Sequence, residues 1–137
     1  MTIPEIIAEL THNNAVFPRR AVTEAIAQRE AGMPELLRIL KDATSNIVEI
    51  ARQEHYMGHI YALYLLAQFR EECAYQPLVN LAFADWLYVD RALGDVITED
   101  LGRMLASVCN GDSSLICGMV ENADLNEYVR SARRDFL

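Results

Sequence analysis

Ile60-Tyr61-Ala62-Leu63-Tyr64-Leu65-Leu66-Ala67-Gln68-Phe69 is the stretch on which the fold of this chain turns. A run this apolar suits a buried strand or a helix covered on several sides. Its length, its alanines and the lack of β-branched residues after Ile60 select the helix. Being apolar around most of its girth, it reads as an inner helix with neighbours on more than one side.

Working outward from it, Gly58 marks a break over 54–58. Ahead of that break, Leu36, Leu37 and Leu40, continued by Ile47, Val48 and Ile50, form the face of a helix that Pro34 begins. A second helix starts at Pro18 and repeats Ala21, Val22, Ala25 and Ile26 at helical spacing until Gly32. The first opens at Thr2-Ile3-Pro4-Glu5, where Thr2 caps, Pro4 sits in the first turn and Glu5 completes a capping box. Its stripe is Ile3, Ile6, Ile7 and Leu10, and Thr11-His12-Asn13-Asn14 stops it.

On the other side, Pro77 begins a helix bearing Leu78, Val79, Leu81 and Ala82, and Trp86 to Leu93 add a turn or two before Gly94 interrupts. Thr98 caps the next helix, with Glu99 and Asp100 in its first turn, where the helix dipole stabilises carboxylates. Leu101, Met104, Leu105 and Val108 form its face. Asn110-Gly111-Asp112 then turns into a helix with Leu115, Ile116 and Met119, closed at Asn122, and Asp124 with Glu127 caps a last one through Tyr128, Val129, Ala132 and Phe136. No segment alternates with the period of two that a half-buried strand requires, so the chain reads as all-α.

Leu36, Leu78 and Leu115 each lie early in a helix that follows a sharp turn, 42 and 37 residues apart. Spacings near 40 belong to HEAT and armadillo units, whose helix pairs stack into a right-handed α-α superhelix. The middle unit, from Ala62-Leu63 through Phe69 to Cys73-Ala74 and Pro77-Leu78-Val79, resembles the HEAT pattern; the outer units match it less closely. More specifically, the chain resembles a bacterial family of HEAT-like domains of unknown function. The similarity is carried by 59–71, by Leu93-Gly94-Asp95-Val96-Ile97-Thr98-Glu99-Asp100-Leu101 and by Asn126-Glu127-Tyr128-Val129-Arg130-Ser131-Ala132, and covers most of the sequence. The resemblance implies a helical-repeat fold and a bacterial source, with no activity attached. Some members of that family carry a C-terminal zinc-binding tail, and no such cysteine-rich tail stands in this sequence.

The 137 residues suit one domain spanning 1–137, able to bury about two-thirds of the surface of the unfolded chain. The net charge of −8 is uneven: residues 1–70 hold seven basic and eight acidic side chains, 71–137 five and twelve. An acidic surface repels phosphates, which argues against nucleic-acid and anionic-membrane partners. The start lacks the basic and apolar regions of a signal peptide, and no apolar run approaches the roughly 18 residues of a membrane span. Cys73, Cys109 and Cys117 show no ligand spacing and read as reduced thiols, which points to the cytoplasm. Tyr128, Ala132 and Phe136 would leave an uncovered stripe on the last helix, to be buried in a homodimer or by an extension in a longer gene product.

Several groups could carry a site. His55 and His59, four apart, would share a helix face and could seat a divalent metal, although no third ligand is fixed by spacing, and two boundary imidazoles near a turn are the plainer reading. Asp90, Asp95, Glu99 and Asp100 cluster about a helix start, where they could bind Mg²⁺ or meet a basic partner, or simply cap and solubilise. Tyr56, Tyr61, Tyr64, Trp86 and Tyr88 could line a groove for a peptide or flat ligand, or pack as core. No GxSxG, P-loop, GxGxxG or kinase signature occurs, and Cys73 has no evident basic partner, so no catalytic residue or cofactor is assigned. The expected function is a non-catalytic interaction module that holds a protein partner on an acidic and aromatic concave face. The alternative is an enzyme or small-ligand carrier of the bilin-lyase-like kind, with the aromatics and His55 or His59 around its ligand.

Overall fold

The computed structural model describes residues 1–12, 16–53, 56–84, 86–94 and 100–109, and only the backbone of Trp86. Along these residues run α1 (Ile3–Thr11), α2 (Arg19–Ala27), α3 (Arg29–Ser45), α4 (Ile47–Arg52), α5 (Gly58–Gln68), a 3-10 turn (Glu72–Ala74), α6 (Tyr75–Ala82), α7 (Trp86–Leu93) and α8 (Leu101–Val108). Among the described residues there is no strand; the nearest thing is an isolated antiparallel bridge between His12 and Tyr56. The helices expected over 112–122 and 124–136, and with them the apolar stripe on the last helix, lie outside the described residues.

The deciding segment is the inner helix its composition calls for. α5 buries His59, Ala62, Leu63, Leu65 and Leu66, and it packs against α3, α1 and α8. α3 lies against both α5 and α6, α4 against α7, and α8 against α5 and α6. The core that results is continuous from Ile6 and Leu10 in α1 to Leu105 and Val108 in α8. Each fully buried leucine in it contributes about 1.5–3 kcal/mol.

Helix starts follow local chemistry where the sequence supplies it. Thr2 accepts a hydrogen bond from the Glu5 amide at 3.3 Å, and Pro4 occupies the first turn of α1, where a missing N–H leaves no bond unmade. Pro77 likewise falls in the first turn of α6. Gly94 ends α7 in a left-handed conformation with φ of 55°, which glycine adopts without a Cβ penalty.

Three boundaries differ from the sequence reading. The second and third helices do not part at Gly32 and Pro34: α2 ends at Ala27, and α3 runs through both residues. The break falls at Gln28, whose side-chain amide donates to the Met1 carbonyl at 2.8 Å and to the Glu24 carboxylate at 3.0 Å. Glu24 in turn faces the Met1 ammonium at 3.6 Å. Contact with the chain start thus turns the backbone four residues ahead of the glycine. Pro34 lies inside α3, in its second turn, where it removes one backbone bond and its ring crowds the preceding turn. The helix read as continuing to Ile50 instead breaks at Asn46 into α3 and α4.

Two interhelix caps tie the layers. Arg29, at the start of α3, donates to the Phe69 carbonyl at 2.9 Å and lies 4.9 Å over the Phe69 ring, closing the C-terminus of α5. His59 does the same for α7.

Candidate functional site

The aromatic residues of α5 form a groove with α2. Met57, Ile60, Tyr61, Tyr64 and Leu65 make one wall, Val22 and Phe17 the other, and the space between them is about 390 Å³. The i, i+3 and i+4 spacing within 60–65 sets these side chains on one face of α5. Phe17 precedes the proline that starts α2, and its ring meets Tyr61 at 6.2 Å with a 56° tilt. Around the groove large apolar side chains face solvent: Val16 is 69% exposed, Phe17 60% and Tyr64 41%. Ile26, exposed as well, lies one turn beyond Val22 on the same face of α2.

At one rim Tyr64 donates a short hydrogen bond to the Asp100 carboxylate. Arg103 pairs with the other oxygen of Asp100 at 2.8 Å. Asp100 is the N-cap residue of α8, yet its side chain makes no capping bond, because both oxygens are engaged across the surface. Of the expected acidic group, Asp100 therefore joins Tyr61 and Tyr64. Asp90 stands exposed on α7, which packs on α4 and not on this groove. Asp95 and Glu99 lie outside the described residues.

A second cavity, about 320 Å³, opens between α4, α5 and α7, with Gln53, Tyr56, His59 and Arg91 among its walls. His59 is 3% exposed. Its Nε2–H donates to the Ala92 carbonyl at 2.5 Å, one of the carbonyls that the end of α7 leaves without a partner. The Tyr56 ring stacks flat against the imidazole, with centroids 5.6 Å apart. Nδ1 is buried and has no hydrogen-bond partner among the described residues. Burial holds the pKa of His59 below its ordinary value, opposed by the bond to Ala92, and it raises that of Tyr56. Gly58 makes the stacking feasible: a Cβ there would stand 2.8 Å from the Tyr56 hydroxyl and 2.9 Å from Thr11 Cγ2.

His55, the other half of the suggested metal pair, lies outside the described residues, and among those described no three His, Cys, Asp or Glu side chains gather to hold an ion. Tyr88 packs half-buried against the core on α7. Trp86 begins that helix. Cys73 is exposed, and the Glu71 carboxylate beside it pushes the thiol pKa up, which works against nucleophilic use. Val16 and Phe17 were not legible as site residues, since one apolar pair in a polar loop ahead of a proline is a faint signal.

Comparison with known proteins adds a family. A model described as "Protein of unknown function (DUF1186)" matches residues 1–137, and the chain belongs to that family. An uncharacterised protein of Chlamydia muridarum (strain MoPn / Nigg) is 44% identical over 133 residues, covering 96% of this chain and 53% of the relative. One from Chlamydia trachomatis serovar D is 43% identical over 133 residues, covering 96% and 52%. The chain thus spans about half the length of the curated relatives it matches. No solved structure matches it.

Proposed function

We propose that this member of the family is a protein-interaction module that takes apolar side chains of a partner into the groove between α2 and α5. The observation that carries the reading is the large apolar side chains that the groove leaves in solvent, Phe17 and Tyr64 on its walls, with Val16 exposed next to Phe17 in the chain. Covering a side chain such as Phe17 contributes about 1–2 kcal/mol, so a few such contacts reach the range of a modest peptide complex. The walls present two phenols and an amide, with no carboxylate, imidazole or thiol among them. Holding a partner therefore suits them better than turning over a substrate.

The scaffold we infer is a short HEAT- or armadillo-like superhelix filling a single domain. The support is the contact pattern: α3 lies on α6, α4 on α7 and α5 on α8, and the first residues of these pairs are 46, 39 and 43 positions apart. These three helices thus each lean on the third helix after them among the described residues, as stacked three-helix units would. A cytoplasmic setting accords with the free thiols of Cys73 and Cys109. Among the described residues no helix is long and apolar enough to cross a membrane.

Peptide display against the folded protein tests the module. Selected peptides should share apolar anchors, and Phe17→Ser should abolish their binding while leaving the circular dichroism spectrum unchanged. Peptides that bind the variant as well as the parent would remove the groove from consideration.

A further inference from the structure

The edge of the groove carries a charge at odds with the rest of the molecule. Arg19 and Arg20 follow Phe17 and Pro18 directly, and both are exposed. With Val16 and Phe17 they line a further depression of about 690 Å³, which shares Phe17 with the groove. Phe17 thus lines both the apolar groove and the depression that holds the two arginines. Arg38, Arg52 and Arg103 each pair with a carboxylate on or beside their own helix. Arg19 and Arg20, like the exposed Lys41, Arg70 and Arg91, form no ion pair among the described residues, and what sets them apart is that they adjoin each other and Phe17; Glu9 lines the same depression.

Stability does not explain that placement. Both arginines stand in the first turn of α2, which holds no acidic residue. There the helix dipole disfavours cations. In a chain with a net charge of −8, two adjacent exposed guanidinium groups with no ion pair among the described residues, beside an exposed phenylalanine, break a local helix preference, and such breaks concentrate at functional surfaces. The acidic face expected from the sequence would choose a basic partner, whereas this surface chooses the opposite.

We propose that the partner is an acidic amphipathic peptide segment. Its apolar side chains enter the α2–α5 groove beside Phe17 and Tyr61, and its carboxylates lie over Phe17 onto Arg19 and Arg20. Guanidinium groups suit this role because their fork of N–H donors matches a carboxylate in two parallel bonds. The charge pair chiefly sets the choice of partner and the rate of encounter, while the apolar contacts hold the complex. The inference rests on the interaction-module reading, and the experiment separates the two.

Fluorescence anisotropy of the full chain would use two synthetic amphipathic probes of about 16 residues, some 24 Å as a helix. One carries Leu and Phe on one face and Glu on the other; its twin replaces each Glu with Lys. The acidic probe should bind about tenfold or more tightly than its twin and weaken as salt rises. An Arg19→Glu/Arg20→Glu variant, with its fold checked by circular dichroism, should reverse the preference, and Phe17→Ser should lose both probes. If the twin binds equally well, or the double variant leaves the preference intact, the acidic partner is refuted while the groove survives through its loss in Phe17→Ser. If neither probe binds the parent protein, both readings fall.

Discussion

Acid should loosen this protein through His59. The imidazole donates from Nε2 to Ala92 and lies against Tyr56. It leaves Nδ1 buried without a partner among the described residues, so the folded state holds the neutral ring. Protonation would create a second, buried N–H with no acceptor among them, and burial accordingly lowers the pKa. In the unfolded chain the same group takes its proton near the ordinary value of about 6.5. Above that pH neither state is charged and the folded state keeps its full stability. As pH falls below it, the unfolded state gains a proton that the folded state refuses. Stability then drops by at most about 1.4 kcal/mol per pH unit until the folded pKa is reached.

The control is His59→Phe, which keeps a ring against Tyr56 and cannot titrate. It leaves the Ala92 carbonyl open, costing about 1–3 kcal/mol at every pH. Urea unfolding followed by circular dichroism from pH 7.5 to 5.0 would give the difference between parent and variant, in which the titration of all other groups cancels. The gap should be widest at pH 7.5 and narrow as pH falls below 6.5, by at most about 1.4 kcal/mol per unit. A gap that stays constant over that range would refute the reasoning.

Gly58→Ala should destabilise by about 1–3 kcal/mol, because the new methyl group meets the Tyr56 hydroxyl and Thr11 and can be housed only by unstacking Tyr56 from His59; thermal unfolding would show it. Arg29→Met should lower stability in urea by about 1–3 kcal/mol, since it removes both the bond to the Phe69 carbonyl and the contact over its ring. Leu66→Ala, at a position 1% exposed, should cost about 2–5 kcal/mol. By contrast, Arg52→Ala breaks an exposed 3.7 Å pair with Glu49 and should stay within about 0.5 kcal/mol of the parent in the same assay.

The sequence by itself determined the helical class, because periodic apolar faces and capping residues act within a few positions: Thr2 with Pro4 starts α1, Pro77 falls in the first turn of α6, Gly94 ends α7, and the all-round apolar run of 60–69 is the buried α5. It also placed Tyr61, Tyr64 and Asp100 among the residues to watch. What it could not decide is everything that depends on groups far apart in the chain. The α2–α3 break answers to Gln28 reaching Met1, the ends of α5 and α7 are closed by Arg29 and His59 from 40 and 33 residues away, and the groove exists only where Phe17 is brought against Tyr61. Local preferences weigh tenths of a kcal/mol to about one, whereas burying a ring or satisfying a carbonyl between helices weighs as much or more. Where the two compete, the tertiary contact sets the boundary and assembles the site.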